Sequence, residues 1–372
     1  YGAVGNDGLS TFYAYQGLYA AGYDDYGQPG LMISRLPNNT LKWESNIQFN
    51  TGIEFWLFNT LSGSIEYFNR KSKDLLFTMP MPLSTGFSGI DRNIGDVKNY
   101  GLELDVNYTP INRKNFTWSI NFNATHYKNE ITKLPQEEMN AGVFKWEEGK
   151  SNYSFWGAEY AGINPDNGND QWWKNVYEIV DGEKIFKDRV KTENINEVNS
   201  EDQKKYIGNA IPDIFGGITN SFSFYGVDFS FMFYYSIGGD LYDSDYSQMM
   251  APRDGFSYHP DVLKAWTPEN PNSTITRFSK EYANSIGSYS SKFLYDNTFL
   301  RLRNASLGYT LPKSLMDNIG INSLRVYVSG DNLMTWGSAA ERGTDPEQSI
   351  NGTTGNRFPT RKSVSIGIQL NL

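Results

Sequence analysis

Between Lys362 and Leu372 the side chains alternate without a break. Val364, Ile366, Ile368, Leu370 and Leu372 share one parity, and Ser363, Ser365, Gly367, Gln369 and Asn371 take the other. A period of two is a strand, and a strand with one apolar and one polar wall stands between an oily phase and a wet one. The alternation recurs upstream. Residues 43–58 set Trp43, Ile47, Phe49, Ile53, Phe55 and Leu57 against Glu44, Asn46, Gln48, Asn50 and Glu54. After a tight link at Asn59 and Thr60, Leu61, Ile65 and Tyr67 alternate with Ser64, Glu66 and Arg70, which reads as a hairpin. Further hairpins are predicted for 100–108 with 116–122, for 214–224 with 227–235, and for 298–310 with 323–333. In the arm 298–310 the apolar phase moves from Leu300 and Leu302 to Ala305, Leu307 and Tyr309, so a bulge is expected near Arg303 and Asn304. With an earlier arm near residues 10–21, about ten strands result.

The connections alternate in length. Residues 59–60, 110–114, 226 and 311–322 are short, whereas 22–42, 78–97, 128–213, 237–297 and 334–361 are long. If the last strand ends on the periplasmic side, every short connection lies there and every long one lies outside, the asymmetry of outer-membrane barrels. Tyr108, Phe116 and Trp118 flank one short turn, where an interfacial girdle of aromatic residues would sit, although ordinary strand packing also accounts for them. Mean hydropathy is -0.54 and no run of eighteen apolar residues occurs, which excludes a helical span but not a barrel, because only alternate residues face lipid. A net charge of -9 without a basic patch disfavours nucleic acid, and no such partner is expected. No cysteine is present, so disulfides and thiolate chemistry are excluded as well. Tyr1 to Gly5 carries no targeting signal.

The segment Asn297-Thr298-Phe299-Leu300-Arg301-Leu302-Arg303-Asn304-Ala305-Ser306-Leu307-Gly308-Tyr309 resembles a strand of the SusC/RagA family of TonB-dependent outer-membrane transporters. So do Val326 to Trp336 and the loop signature Asp345-Pro346-Glu347. Asn99 to Leu104, Tyr160 to Pro165, Ile207 to Pro212 and Trp266 to Pro271 follow in family order. The resemblance implies an all-β fold: the C-terminal segment, about ten antiparallel strands, of a large transmembrane β-barrel with long extracellular loops. It implies import of glycans or peptides across a Bacteroidetes-like outer membrane, with a SusD-like lipoprotein lid, and energy supplied by TonB through a plug. Residues 1–372 show no counterpart of that plug or of the early strands, and Leu372 stands where the family usually has an aromatic residue. Because an open edge in lipid is costly, closure with a missing N-terminal barrel and plug portion is expected.

Candidate chemistry is sparse. His126 and His259 have no clustered partner, the pairs Glu137-Glu138 and Glu147-Glu148 read as solvated loop faces, and no nucleophile elbow or phosphate loop occurs, so no enzyme and no catalytic residue is expected. Residues 164–173 combine oxygen donors with two indoles. Trp172 or Trp173 could stack on a sugar while Asp166, Asn169 and Asp170 bind hydroxyls or a calcium ion; alternatively the segment is a turn packed by its own indoles. No other cofactor is expected. The charged run Asp181 to Lys205 reads as a solvated loop, with a partner-docking surface as the second option. Lumen- or plug-facing candidates are Glu103, Asp105, Asn121, Asp228, Arg325 and Tyr327, whose simplest role is hydrogen bonding within the wall. Two rival classes remain open: an outer-membrane scaffold or adhesion protein of the same fold, and a soluble β-sandwich glycan-binding module or enzyme.

Overall fold

The computed structural model describes residues 1–6, 13, 15–25, 27–87, 89–280, 289–316 and 320–371. Ten strands form one antiparallel sheet. In chain order they are β1 (Gly2–Asn6), β2 (Glu44–Leu57), β3 (Leu61–Lys73), β4 (Asp96–Arg113), β5 (Phe116–Lys133), β6 (Ile214–Phe224), β7 (Val227–Ile237), β8 (Phe299–Thr310), β9 (Ser323–Gly337) and β10 (Ser363–Asn371). Each pairs with its neighbours in sequence, so the sheet is a meander in which β1 and β10 each pair on one side only among the described residues.

Register joins the apolar rows into one continuous face. Phe122 pairs with Val106 and Ile218, Ile218 with Phe233, and Phe233 with Leu302. Farther along, Leu307 pairs with Val328 and Val328 with Ile366. This face is uncovered: Ile366 is 81% exposed and Ile53 72% exposed. Such a row would be intolerable on a water-soluble sandwich and is what hydrocarbon requires. Among the described residues no helix is long and apolar enough to cross a membrane.

The expected bulge is present. Met232 and Phe233 pair with Asn304 and Leu302, so Arg303 is the extra residue, and it restores the apolar facing for Ala305, Leu307 and Tyr309. The turn Tyr225-Gly226 has positive φ at both positions, 45° and 85°, as a two-residue hairpin linking right-twisted strands demands.

The strand expected near residues 10–21 is corrected. The first sheet strand is Gly2–Asn6, whose small side chains carry no alternating signal. Residues 7–12 and 14 of that expectation, like Leu372, lie outside the described residues. Leu18–Asp25 pairs instead with Gln28–Arg35 in a separate hairpin of the first long connection.

The hydrophobic core lies in the long connections rather than in the barrel wall. Phe155, Tyr242, Tyr246, Met250 and Phe293 form one cluster, drawn from the connections 134–213 and 238–298. The last long connection locks onto it: the Tyr242 amide donates to Gly352 O at 2.7 Å, and the Thr354 amide donates to Tyr242 O at 3.1 Å. The long connections on this side thus fold into a cap with its own interior.

Candidate functional site: the polar wall and its outer aromatic pocket

Opposite parity builds the polar wall. Glu103 lies directly across from Glu66 and Thr125, Asp105 from Ser64 and Asn123, and Asn121 from Asn107. The Asn121 amide donates to Asn107 Oδ1 at 2.9 Å, and the Asn107 amide donates to Asp105 Oδ1 at 2.9 Å. A second group forms on β7 to β9. Arg325 donates through Nε to Asp228 Oδ1 at 2.9 Å and through its terminal nitrogen to the other carboxylate oxygen. Its guanidinium stacks 4.8 Å from the Tyr327 ring centre. Glycine makes room beneath both side chains: a Cβ on Gly308 would meet the Arg325 guanidinium, and one on Gly367 the outer end of the Tyr327 ring, so either side chain would have to shift. All six wall candidates share the polar face, and five of them fall into two separate networks. Glu103 stands apart from both.

The segment 164–173 is organised as a packed loop. Asn164, Asn167 and Asn169 all donate side-chain amide hydrogens to Glu193, with Asn169 at 2.9 Å, and these bonds hold the Glu193 carboxyl below its ordinary range although burial opposes them. Asp170 is buried, accepting from Lys292 Nζ at 2.6 Å and from the Tyr160 hydroxyl at 2.8 Å. Burial pushes the Lys292 ammonium below its usual value, and the adjacent Asp170 opposes that. Trp172 is fully buried with Ala158, Ile195 and Val198. Of the two readings of this segment the packed turn is the one seen: Trp172 is sealed from solvent and so unavailable to a sugar, and Asn169 and Asp170 are bonded to different partners, Glu193 and Lys292. Trp173, half-buried with Arg189 and Lys191 against its ring, and exposed Asp166 are the two members still open to a ligand.

A pocket that sequence reasoning missed opens on the polar face beneath the cap. Tyr127, Phe215, Tyr234 and Phe299, from the outer ends of β5, β6, β7 and β8, line a cavity of about 270 Å³ together with Glu347 and Ile350. Tyr127 meets Phe215 edge-on at 6.1 Å, and Tyr234 lies 5.7 Å from Phe299. The available signal was an aromatic residue on the polar parity of four successive strands.

Behind the pocket, the bulged strand holds the last long connection. Arg301, buried, pairs with Asp345 and with Glu347 Oε2 at 2.6 Å, and Arg303 pairs with Glu347. The strand motif and the Asp345-Pro346-Glu347 motif are therefore two halves of one clamp. A further cavity of about 330 Å³ lies inside the cap; its cations Lys292 and Arg342 face Asp170 and Asp243.

Comparison with known proteins agrees with this architecture. The family described as "TonB dependent receptor-like, beta-barrel" matches residues 6–333. TonB-dependent receptor P3 of Formosa agariphila is 30% identical over 383 residues, which cover 99% of this chain and 37% of that protein. TonB-dependent receptor SusC of Bacteroides thetaiotaomicron is 27% identical over 399 residues, covering 100% of this chain and 37% of that protein. The solved structure of the RagAB peptide transporter superposes with a TM-score of 0.83 at 30% identity, covering 100% of this chain and 40% of that one. The chain thus spans about two fifths of the length of these relatives. With the ten-stranded sheet, the uncovered apolar face and a family match over most of its residues, the chain belongs to the TonB-dependent receptor β-barrel family.

Proposed function

We propose that this chain is the C-terminal barrel wall and outer cap of an outer-membrane, TonB-dependent importer of glycans or peptides. The observation that carries the reading is a single sheet with two opposed surfaces, an uncovered apolar one and a polar one that holds an aromatic pocket at its outer end. The apolar face suits hydrocarbon. The polar face suits a hydrated lumen occupied by a plug, against which Glu103, Asp105, Asn121, Asp228, Arg325 and Tyr327 would hydrogen-bond. Strands from an N-terminal barrel portion would pair with the open sides of β1 and β10, since unpaired backbone in lipid costs several kcal/mol per group. A SusD-like lipoprotein would cover the cap, and TonB would act on the plug.

Tyr127, Phe215, Tyr234 and Phe299 would receive a ring-sized group of the ligand, with Trp173 and Asp166 as contacts farther out. Peptides are the cargo named for the RagAB neighbours, at 29% and 30% identity, which supports that class. The test is to express the full-length protein, recover it from the outer-membrane fraction and identify co-purifying ligands by mass spectrometry. Wild type is expected to carry peptide or oligosaccharide. The Tyr127→Ala, Tyr234→Ala double variant should carry about tenfold less, as the loss of two aromatic contacts predicts. Recovery in the soluble fraction would reject the reading.

A further inference from the structure

The apolar band changes character at its outer margin. Along the lipid-facing parity of β4, the order from the short turn outward is Tyr108, Val106, Leu104, Leu102, Tyr100 and then Lys98. At about 3.3 Å per residue and a tilt of about 40°, the stretch from Tyr108 to Lys98 rises about 25 Å, the height of the apolar band of a transmembrane barrel. Lys98 therefore stands where hydrocarbon gives way to headgroups. Its neighbours repeat the chemistry: Lys71 of β3 pairs directly with Lys98, and Lys128 of β5 pairs with Tyr100. Three adjacent strands bring three cations to one margin of a chain whose net charge is -9.

The wall does not neutralise them fully. Lys71 reaches Asp96 at 3.1 Å. Lys98 lies 4.3 Å above the Tyr100 ring centre, and Glu130, its register partner on β5, makes no ion pair with it. Among the described residues no carboxylate lies within 4 Å of the Lys98 or Lys128 ammonium. Like charges directly opposite one another weaken a strand pair; Asp96 offsets Lys71, while Lys98 across from it has only the Tyr100 ring as partner.

We propose that Lys71, Lys98 and Lys128 dock the phosphate-bearing headgroup of an outer-leaflet lipid, whose acyl chains then lie along Leu102, Leu104 and the apolar rows beside them. The inference rests on the outer-membrane reading above. Its recognition is charge at a fixed height: three ammonium groups for the phosphate, the Tyr67 and Tyr100 rings at the interface, and alkyl contact below.

Full-length protein recovered from the outer-membrane fraction is held in nonionic detergent, and native mass spectrometry counts bound lipid after addition of bisphosphorylated lipid A. The Lys71→Gln, Lys98→Gln, Lys128→Gln triple variant is expected to bind about tenfold less or lower still. The corresponding triple Arg variant should bind as wild type does, and fully dephosphorylated lipid A should bind wild type no better than the Gln variant binds lipid A. Equal occupancy in wild type and the Gln variant overturns the proposal. Loss in the Arg variant also overturns it, because the lysines would then be structural. Displacement of the lipid by an equal concentration of inorganic phosphate overturns the lipid assignment in favour of a free-anion site. A protein missing from the outer-membrane fraction fails at the earlier step and removes the membrane reading instead.

Discussion

Arg325 joins three strands through one side chain. It pairs with Asp228, lies over Gly308 and stacks on Tyr327. Asp228 is 40% exposed, so water screens the pair, and Arg325→Ala is expected to lower unfolding stability by only about 1 kcal/mol. A chemical denaturation midpoint measures it. Asp345 differs because it is buried against Arg301. Burial raises its pKa, but hydrogen bonds from Thr360, from the Glu347 backbone and from Arg301 outweigh that and hold the carboxyl at about 2. A carboxyl whose folded value is depressed contributes stability that is complete above the unfolded value of about 4 and is lost as pH falls towards 2. Pepsin cleavage within residues 338–362 should therefore stay slow at pH 4 and accelerate as pH approaches 2. Asp345→Asn, which removes the buried partner of Arg301 and leaves Glu347 as its counter-charge, should be cut faster than wild type already at pH 4. Residue roles were the least legible part of the sequence. Trp172 and Trp173 look alike in a string of letters, yet one is sealed in the cap core and the other is half-exposed, because the partners that decide this, Ile195 and Val198, lie over twenty residues away.

At the scale of elements, the bulge at Arg303 keeps the apolar residues of both halves of β8 on the uncovered apolar face. Deleting Arg303 slips one half by one residue and turns either Leu300 and Leu302 or Ala305, Leu307 and Tyr309 towards the polar side. The expected outcome is a drop of about tenfold in folded protein recovered from the outer membrane, scored by its heat-modifiable gel mobility. Strands were legible because the signal repeats every second residue and each carries it alone. The cap was not: Phe155, Tyr242 and Phe293 meet across connections that share no period, and β1 stayed hidden because glycine and alanine report no face. Phe155→Ala should cost the cap about 3 to 5 kcal/mol. Hydrogen exchange should then quicken in 134–213 and 238–298 while β2 to β5 keep their protection.

Across the whole molecule, the alternation of short and long connections in the sequence assigns the long ones to one rim, since every second link of a meander returns to the same side of the sheet. The interior of that cap draws on separate links, 134–213 and 238–298, with 352–354 latched to Tyr242. In the proposed topology each link must cross the bilayer as loose chain, because a folded cluster is far too wide to pass between strands. The cluster can close only after the last of them has arrived, and from then on it acts like the spread head of a rivet. Withdrawal of a hairpin joined to those links would first require that head to melt, so resistance to extraction should track the melting of the cap as well as the grip of lipid on the wall.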